Sequence, residues 1–76
     1  MPIYSDILKE LRREKRMTQT QVAQKLYISQ RMYSYYESGQ REMKISMLSQ
    51  LADILETSTD YILGRTNIQT PYPKRK

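Results

Sequence analysis

A chain of 76 residues holds one domain, and folding can bury only about 60% of the surface that its unfolded form exposes. It has no cysteine and no histidine, which excludes a disulfide framework, a thiolate zinc cluster and a histidine general base, so stability has to come from helix packing. Thirteen Lys and Arg stand against eight Asp and Glu, a net charge of +5 that favours a polyanionic partner, although such an excess also serves ordinary solvation.

The charge is unevenly spread. Residues 1 to 41 carry eight basic and four acidic side chains, residues 42 to 64 one and four, and residues 65 to 76 four and none. No apolar run reaches the length that a signal peptide or a membrane span requires, so a cytosolic location with no membrane partner is expected.

In chain order, Ile3, Tyr4, Ile7, Leu8 and Leu11 recur at helical spacing after Pro2, with Lys9, Arg13 and Arg16 on the other side. Ser5 or the residues just before it are expected to cap this first helix, which should end near Lys15 or Arg16, where cations suit the macrodipole. Thr18 with Gln21 forms a capping-box pair, and Val22, Ala23 and Leu26 make the narrow stripe of a second helix of about two turns. Tyr27 and Ile28 interrupt the pattern. Ser29 then opens a third helix that ends before Gly39. Ile45, Leu48, Leu51, Ala52 and Leu55 mark a fourth, and Ser58 caps a short fifth carrying Tyr61, Ile62 and Leu63 before Gly64. The remaining NIQTPYPKRK has two prolines, no periodicity and a basic end, and reads as a mobile tail.

The third helix has two unlike sides. At about 100° per residue, Met32, Tyr33 and Tyr36 cluster on one side, while Gln30, Arg31, Ser34, Tyr35 and Ser38 occupy the other. Tyr33 and Tyr36 are expected in the core with their hydroxyls at its rim. The polar side is rich in good donors and acceptors that are weaker choices for helicity. Gln can bond adenine and Arg guanine, each bidentately, on a helix that fits the major groove.

These residues carry a resemblance. Val22-Ala23, Leu26, Ser29, Tyr33, Tyr36 and Glu37-Ser38-Gly39 resemble the helix-turn-helix of the lambda-repressor and Cro type, also called the xenobiotic-response-element family. LKELRREKRMTQ is similar to the family's first helix and LSQLADILETSTDYILGRT to its fourth and fifth, so residues 5 to 66 are covered. The resemblance implies an all-α, five-helix, lambda-repressor-like DNA-binding domain over residues 1 to 66, followed by a basic tail over 67 to 76. Two positions depart from the pattern. Tyr27 stands where glycine is usual, and a left-handed backbone there would cost on the order of 1 kcal/mol. Met43 replaces a common proline.

By the same resemblance, Gln19 bonds a phosphate at the positive end of the second helix. Gln30 and Arg31 reach base edges, and Ser34 and Tyr35 follow one turn later. Tyr35 donates to a phosphate, packs on a thymine methyl, or is simply an exposed ring. Arg41 and Lys44 clamp the backbone. Arg12 and Glu37 form a partly buried, structural ion pair. The wide apolar arc of the fourth helix is either covered by the fifth helix and the tail or forms a dimer seam through Met47, Leu51 and Ile54, as needed to place two recognition helices about 34 Å apart. The tail follows a phosphate backbone, enters a minor groove or is a solvated end.

The leading expectation is a sequence-specific regulator of double-stranded DNA, most simply a repressor, homodimeric at least on DNA. An antitoxin or other partner-binding regulator of the same fold, masking a protein with a second surface, is the alternative. No enzyme is expected, since two glycines build no phosphate-cradling loop and no carboxylate pair is placed on one cleft wall. No cofactor or metal is called for. A basic membrane-surface helix is disfavoured because the core needs the apolar side of the first helix.

Overall fold

The computed structural model describes residues 3–73. Among the described residues the helices are α1 (Ile3–Glu14), α2 (Gln19–Leu26), α3 (Gln30–Ser38), α4 (Ile45–Ile54) and α5 (Thr59–Ile62), and there is no strand. Three helix starts follow local chemistry. The Thr18 hydroxyl accepts from the Gln21 N–H at 3.1 Å while the Gln21 side chain accepts from the Thr18 N–H at 2.8 Å, a reciprocal box that satisfies two otherwise orphaned donors. The Ser29 and Ser58 hydroxyls accept from the N–H groups of Met32 and Tyr61. Lys44 precedes α4 with no side-chain cap.

Ser5 does not cap α1. The helix already begins at Ile3, and Ser5 is buried within its first turn. The reason lies in Tyr4, whose ring packs against the core and whose hydroxyl donates to the Arg41 carbonyl at 3.1 Å. Ile3 and Tyr4 are already helical, which leaves Ser5 inside the helix and not at its cap.

The helix ends repeat one device. After each helix a residue turns left-handed: Arg16 (φ 56), Tyr27 (φ 59), Gly39 (φ 80), Glu56 (φ 55) and Gly64 (φ 77). Its N–H donates to the carbonyl three residues back, and the next N–H donates to the carbonyl five back, as with Tyr27 to Gln24 and Ile28 to Ala23. Both bonds satisfy carbonyls that the last turn leaves open. Glycine takes this conformation without steric cost, yet it fills the position after α3 and α5 only.

Leu8 and Leu11 of α1, Val22, Ala23 and Leu26 of α2, Tyr33 and Tyr36 of α3, Leu51, Ala52 and Leu55 from α4 and its end, and Ile62 of α5 form one core. Helix α3 packs on both α1 and α2, α4 on α2, and α5 on α1 and α4. The chain folds to a radius of gyration of 11.5 Å, close to the ~11 Å expected for a compact domain of this length. This is the all-helical, lambda-repressor-like arrangement.

Leu51, expected at a dimer seam, is 0% exposed and belongs to the core. It shares the inner face of α4 with Ala52 and Leu55, so it has no surface for a partner. Met47 and Ile54 flank that face, half-buried. Ile45, on the first turn of α4, is 87% exposed.

The segment after α5 runs back along the body instead of leaving it at residue 67. The Thr57 hydroxyl donates to the Gln69 carbonyl at 2.6 Å, and the Tyr72 hydroxyl donates to Asp60 at 2.9 Å. The Asp60 carboxylate raises the Tyr72 pKa above its ordinary value. Pro71, Tyr72 and Pro73 wall a shallow recess against Asp53 of α4 and Thr59 of α5. The tail cations Lys74, Arg75 and Lys76 lie outside the described residues.

Candidate nucleic-acid interface

Tyr33 and Tyr36 lie at the bottom of this site. With Tyr33 fully buried and Tyr36 nearly so, α3 cannot rotate about its axis without pulling aromatic surface into water, and its other side is held outward. That side places Gln30 and Arg31 in solvent, Ser34 and Tyr35 half-buried one turn later, and Ser38 exposed beyond them. The Ser34 and Ser38 hydroxyls donate to the carbonyls of Arg31 and Tyr35 in the preceding turn.

An ion pair fixes the same helix to α1. Arg12 Nε donates to Glu37 Oε2 at 2.9 Å and Arg12 Nη2 to Glu37 Oε1 at 3.0 Å, a bidentate contact, while Arg12 Nη1 donates to the Met17 carbonyl at 2.8 Å. The Glu37 side chain is 1% exposed. Burial pushes its pKa up, but hydrogen bonds, that from Arg12 foremost, outweigh it and hold the carboxyl below its ordinary range. The bond to Glu37 correspondingly raises the Arg12 pKa. The Tyr33 hydroxyl beside this pair makes no hydrogen bond of good geometry among the described residues. Burial first, and the neighbouring Glu37 second, push its pKa far up.

The network continues to the surface. Gln19 Nε2 donates to Glu37 Oε1 at 3.2 Å, and Gln30 Nε2 donates to Gln19 Oε1 at 2.6 Å. Gln19 therefore differs from the free phosphate ligand expected of it: it bridges the buried carboxylate to the first side chain of α3. An amide nitrogen carries two hydrogens, so one remains on Gln19 for a phosphate.

Arg41 stands over the Tyr35 ring, its guanidinium 5.7 Å from the ring centre, within cation–π range. Lys44 is exposed at the start of α4. Gln19, Gln30, Ser34, Tyr35 and Arg41 are thus linked around α3, which also carries the exposed Arg31, whereas Lys44 precedes α4 and Met47 and Ile54 lie on that helix.

Comparison with known proteins gives the family. A family model described as Helix-turn-helix matches residues 8–62. The chain belongs to the helix-turn-helix family of the lambda-repressor and Cro type. Three relatives from Bacillus subtilis (strain 168) share this helix-turn-helix region. The uncharacterized HTH-type transcriptional regulator YqaE is 39% identical over 66 residues, 86% of this chain and 57% of its own. YobD, likewise an uncharacterized HTH-type transcriptional regulator, is 34% identical over 74 residues, 97% and 66%. The HTH-type transcriptional regulator AnsR is 36% identical over 69 residues, 91% and 60%. The chain thus spans 57 to 66% of the length of these relatives. No solved structure matches it significantly.

Two residues of this helix-turn-helix face escape sequence reasoning. Lys9 of α1 and Gln40 after Gly39 border the recess of about 220 Å³ that Gln19, Ser34 and Tyr35 also line. Lys9 reads from the sequence only as a cation on the polar side of a helix. Nothing local says that this side meets α3. Among the described residues no group of His, Cys, Asp or Glu is placed to hold a metal ion, and no helix is long and apolar enough to cross a membrane.

Proposed function

We propose that this chain is a sequence-specific regulator of double-stranded DNA, reading the major groove with α3 and acting most simply as a repressor. The observation that carries the reading is the fixed orientation of α3: buried Tyr33 and Tyr36 on one side, exposed Gln30 and Arg31 at the N-terminal end of the other. In this reading Arg31 bonds guanine and Gln30, held by Gln19, presents its carbonyl and remaining N–H to adenine. Gln19, Arg41 and Lys44 contact phosphates, and Lys9 joins them from α1. Tyr35, half-buried under Arg41, supports that guanidinium and meets the backbone or a thymine methyl. The kinship with proteins named as transcriptional regulators favours a regulatory role for the contact.

Two copies acting together would bind half-sites one helical turn apart, about 34 Å. Selection of bound duplexes from a random pool should therefore return a pseudo-palindrome. On that operator, Gln30→Ala and Arg31→Ala should each weaken binding by about 1 to 3 kcal/mol and relax base preference at one position. Arg41→Ala should weaken specific and random duplexes alike. Equal losses on specific and random DNA for all three variants would remove base reading from α3.

A further inference from the structure

The other face of the helix-turn-helix carries an unassigned feature. An open groove of about 670 Å³ runs between the turn after α1 and the outer side of α2. Its cations are Lys15, Arg16 and Lys25, its amides Gln21 and Gln24, and its apolar surface comes from Met17 and Tyr27. No acidic residue lines it. Glu56 accepts from Lys15 Nζ at 2.8 Å and offsets one charge, and Asp53 borders an adjoining recess with Lys25 and Tyr27, outside the groove itself. Tyr27, at 94% exposed, is the most exposed large apolar side chain described.

Cations near the C-terminal ends of α1 and α2 are what the macrodipole favours, and this alone accounts for Lys15 and Lys25. It does not account for the backbone. Arg16 and Tyr27 both line the groove in left-handed conformation, and the remaining non-glycine residue of that kind, Glu56, pairs with a groove cation. After α3 and α5 the same cap position holds Gly39 and Gly64. Strain of this type is held by the surrounding structure and clusters at ligand-binding sites.

We propose that this groove docks an acidic segment of a partner protein, with an apolar side chain of that segment seated between Met17 and Tyr27. The cations complement its carboxylates, the two glutamines satisfy its backbone, and the exposed ring supplies the anchor. A DNA backbone fits the position less well. Gln21 and Lys25 lie about 160° and 120° around α2 from Gln19, and no groove residue borders the recess beside Ser34 and Tyr35. The partner and a duplex can therefore be held at once, and the inference does not depend on α3 reading bases.

The test titrates the full isotope-labelled chain with a short peptide of glutamates flanking a central leucine, and separately with a random-sequence duplex, following backbone amide signals. The peptide should move Lys15, Met17, Gln24 and Tyr27 and leave Gln30 and Arg31 in place, while the duplex does the reverse. A double variant, Arg16→Gly with Tyr27→Gly, should melt at higher temperature than the parent yet bind the peptide about tenfold more weakly, with duplex affinity unchanged. Loss of binding in a more stable protein cannot come from misfolding. The proposal is overturned if the peptide moves no signals or only those of α3, if the duplex moves the groove residues as strongly as α3, or if the double variant keeps its peptide affinity. A duplex that binds nowhere would sink the DNA reading alone.

Discussion

At Tyr27 a β-carbon occupies a backbone position with φ 59 and ψ 39, where it crowds a neighbouring carbonyl oxygen and raises the energy by roughly 1 to 2 kcal/mol. The ring recovers little of this, being almost wholly in water. Tyr27→Gly should then stabilise the fold by about 1 kcal/mol after the added chain entropy of glycine is subtracted, seen as a higher urea midpoint at unchanged m-value. Glu37 sets a different dependence. Its folded pKa is depressed, so the stability it contributes is complete above the unfolded value of about 4.3 and is lost as pH falls through the lower folded value. Glu37→Gln should be less stable than the parent at pH 7, and the gap between their melting temperatures should close on acidification below pH ~4. A gap that is constant with pH would show that the carboxylate charge is not what matters. At this scale the sequence is legible where the chemistry is local, as at Thr18 with Gln21, at Ser29 and at Ser58. Arg16 and Glu56 escape it, because both residue types are good helix formers and only the path of the following chain turns them left-handed.

Between elements, the bond from Arg12 to Glu37 settles how α1 meets α3. Arg12 reaches Glu37 with two nitrogens and the chain after α1 with the third, so one guanidinium closes the α1–α2 turn and fixes the helix that carries Gln30. Arg12→Ala leaves a 1% exposed carboxylate without its cation and should cost about 3 to 5 kcal/mol, measurable by thermal or urea unfolding. An unchanged melting temperature would reduce the pair to decoration. Arg12 and Glu37 could be matched from the sequence only through family resemblance, since their separation of 25 residues has no local signature. The apolar spacing of α4 was as legible as that of α1, but a wide arc does not say which neighbour covers which part. Leu51 turned out to face the core, while Ile45 at the head of the same helix faces water. Leu51→Ala should accordingly behave as a core truncation, costing about 2 to 5 kcal/mol independently of protein concentration. A seam residue would instead shift the dimer equilibrium.

For the molecule as a whole, charge and packing divide along the chain. The acidic residues Asp53, Glu56 and Asp60 gather at the α4–α5 end, where Tyr72 bonds to Asp60 and the Gln69 carbonyl accepts from Thr57. Composition and prolines make residues 67 to 76 look like a loose end because the bonds that hold Gln69 and Tyr72 run to Thr57 and Asp60, twelve residues upstream, a pairing that leaves no periodic or capping signature. Deleting residues 67 to 76 removes these two bonds and the longer one, 3.4 Å, from Gln69 Nε2 to Glu14 Oε1, and exposes the Thr57 hydroxyl, which donates in a buried setting. Each such bond contributes about 0.5 to 1.5 kcal/mol net, so the shortened chain should lose on the order of 1 to 2 kcal/mol and melt several degrees lower. The same deletion removes Lys74, Arg75 and Lys76, and its effect on DNA separates anchoring from phosphate binding. If the segment serves only to close the α4–α5 end, the slope of log affinity against log salt stays that of the parent, whereas every phosphate that the deletion leaves without its cation would lower it by about 0.9. Because Gln69 and Tyr72 attach to the α4–α5 end and to Glu14 of α1 and not to α3, we expect the parental slope together with the lower melting temperature. A drop of about two or more in the slope at unchanged stability would instead make the segment a DNA-binding arm.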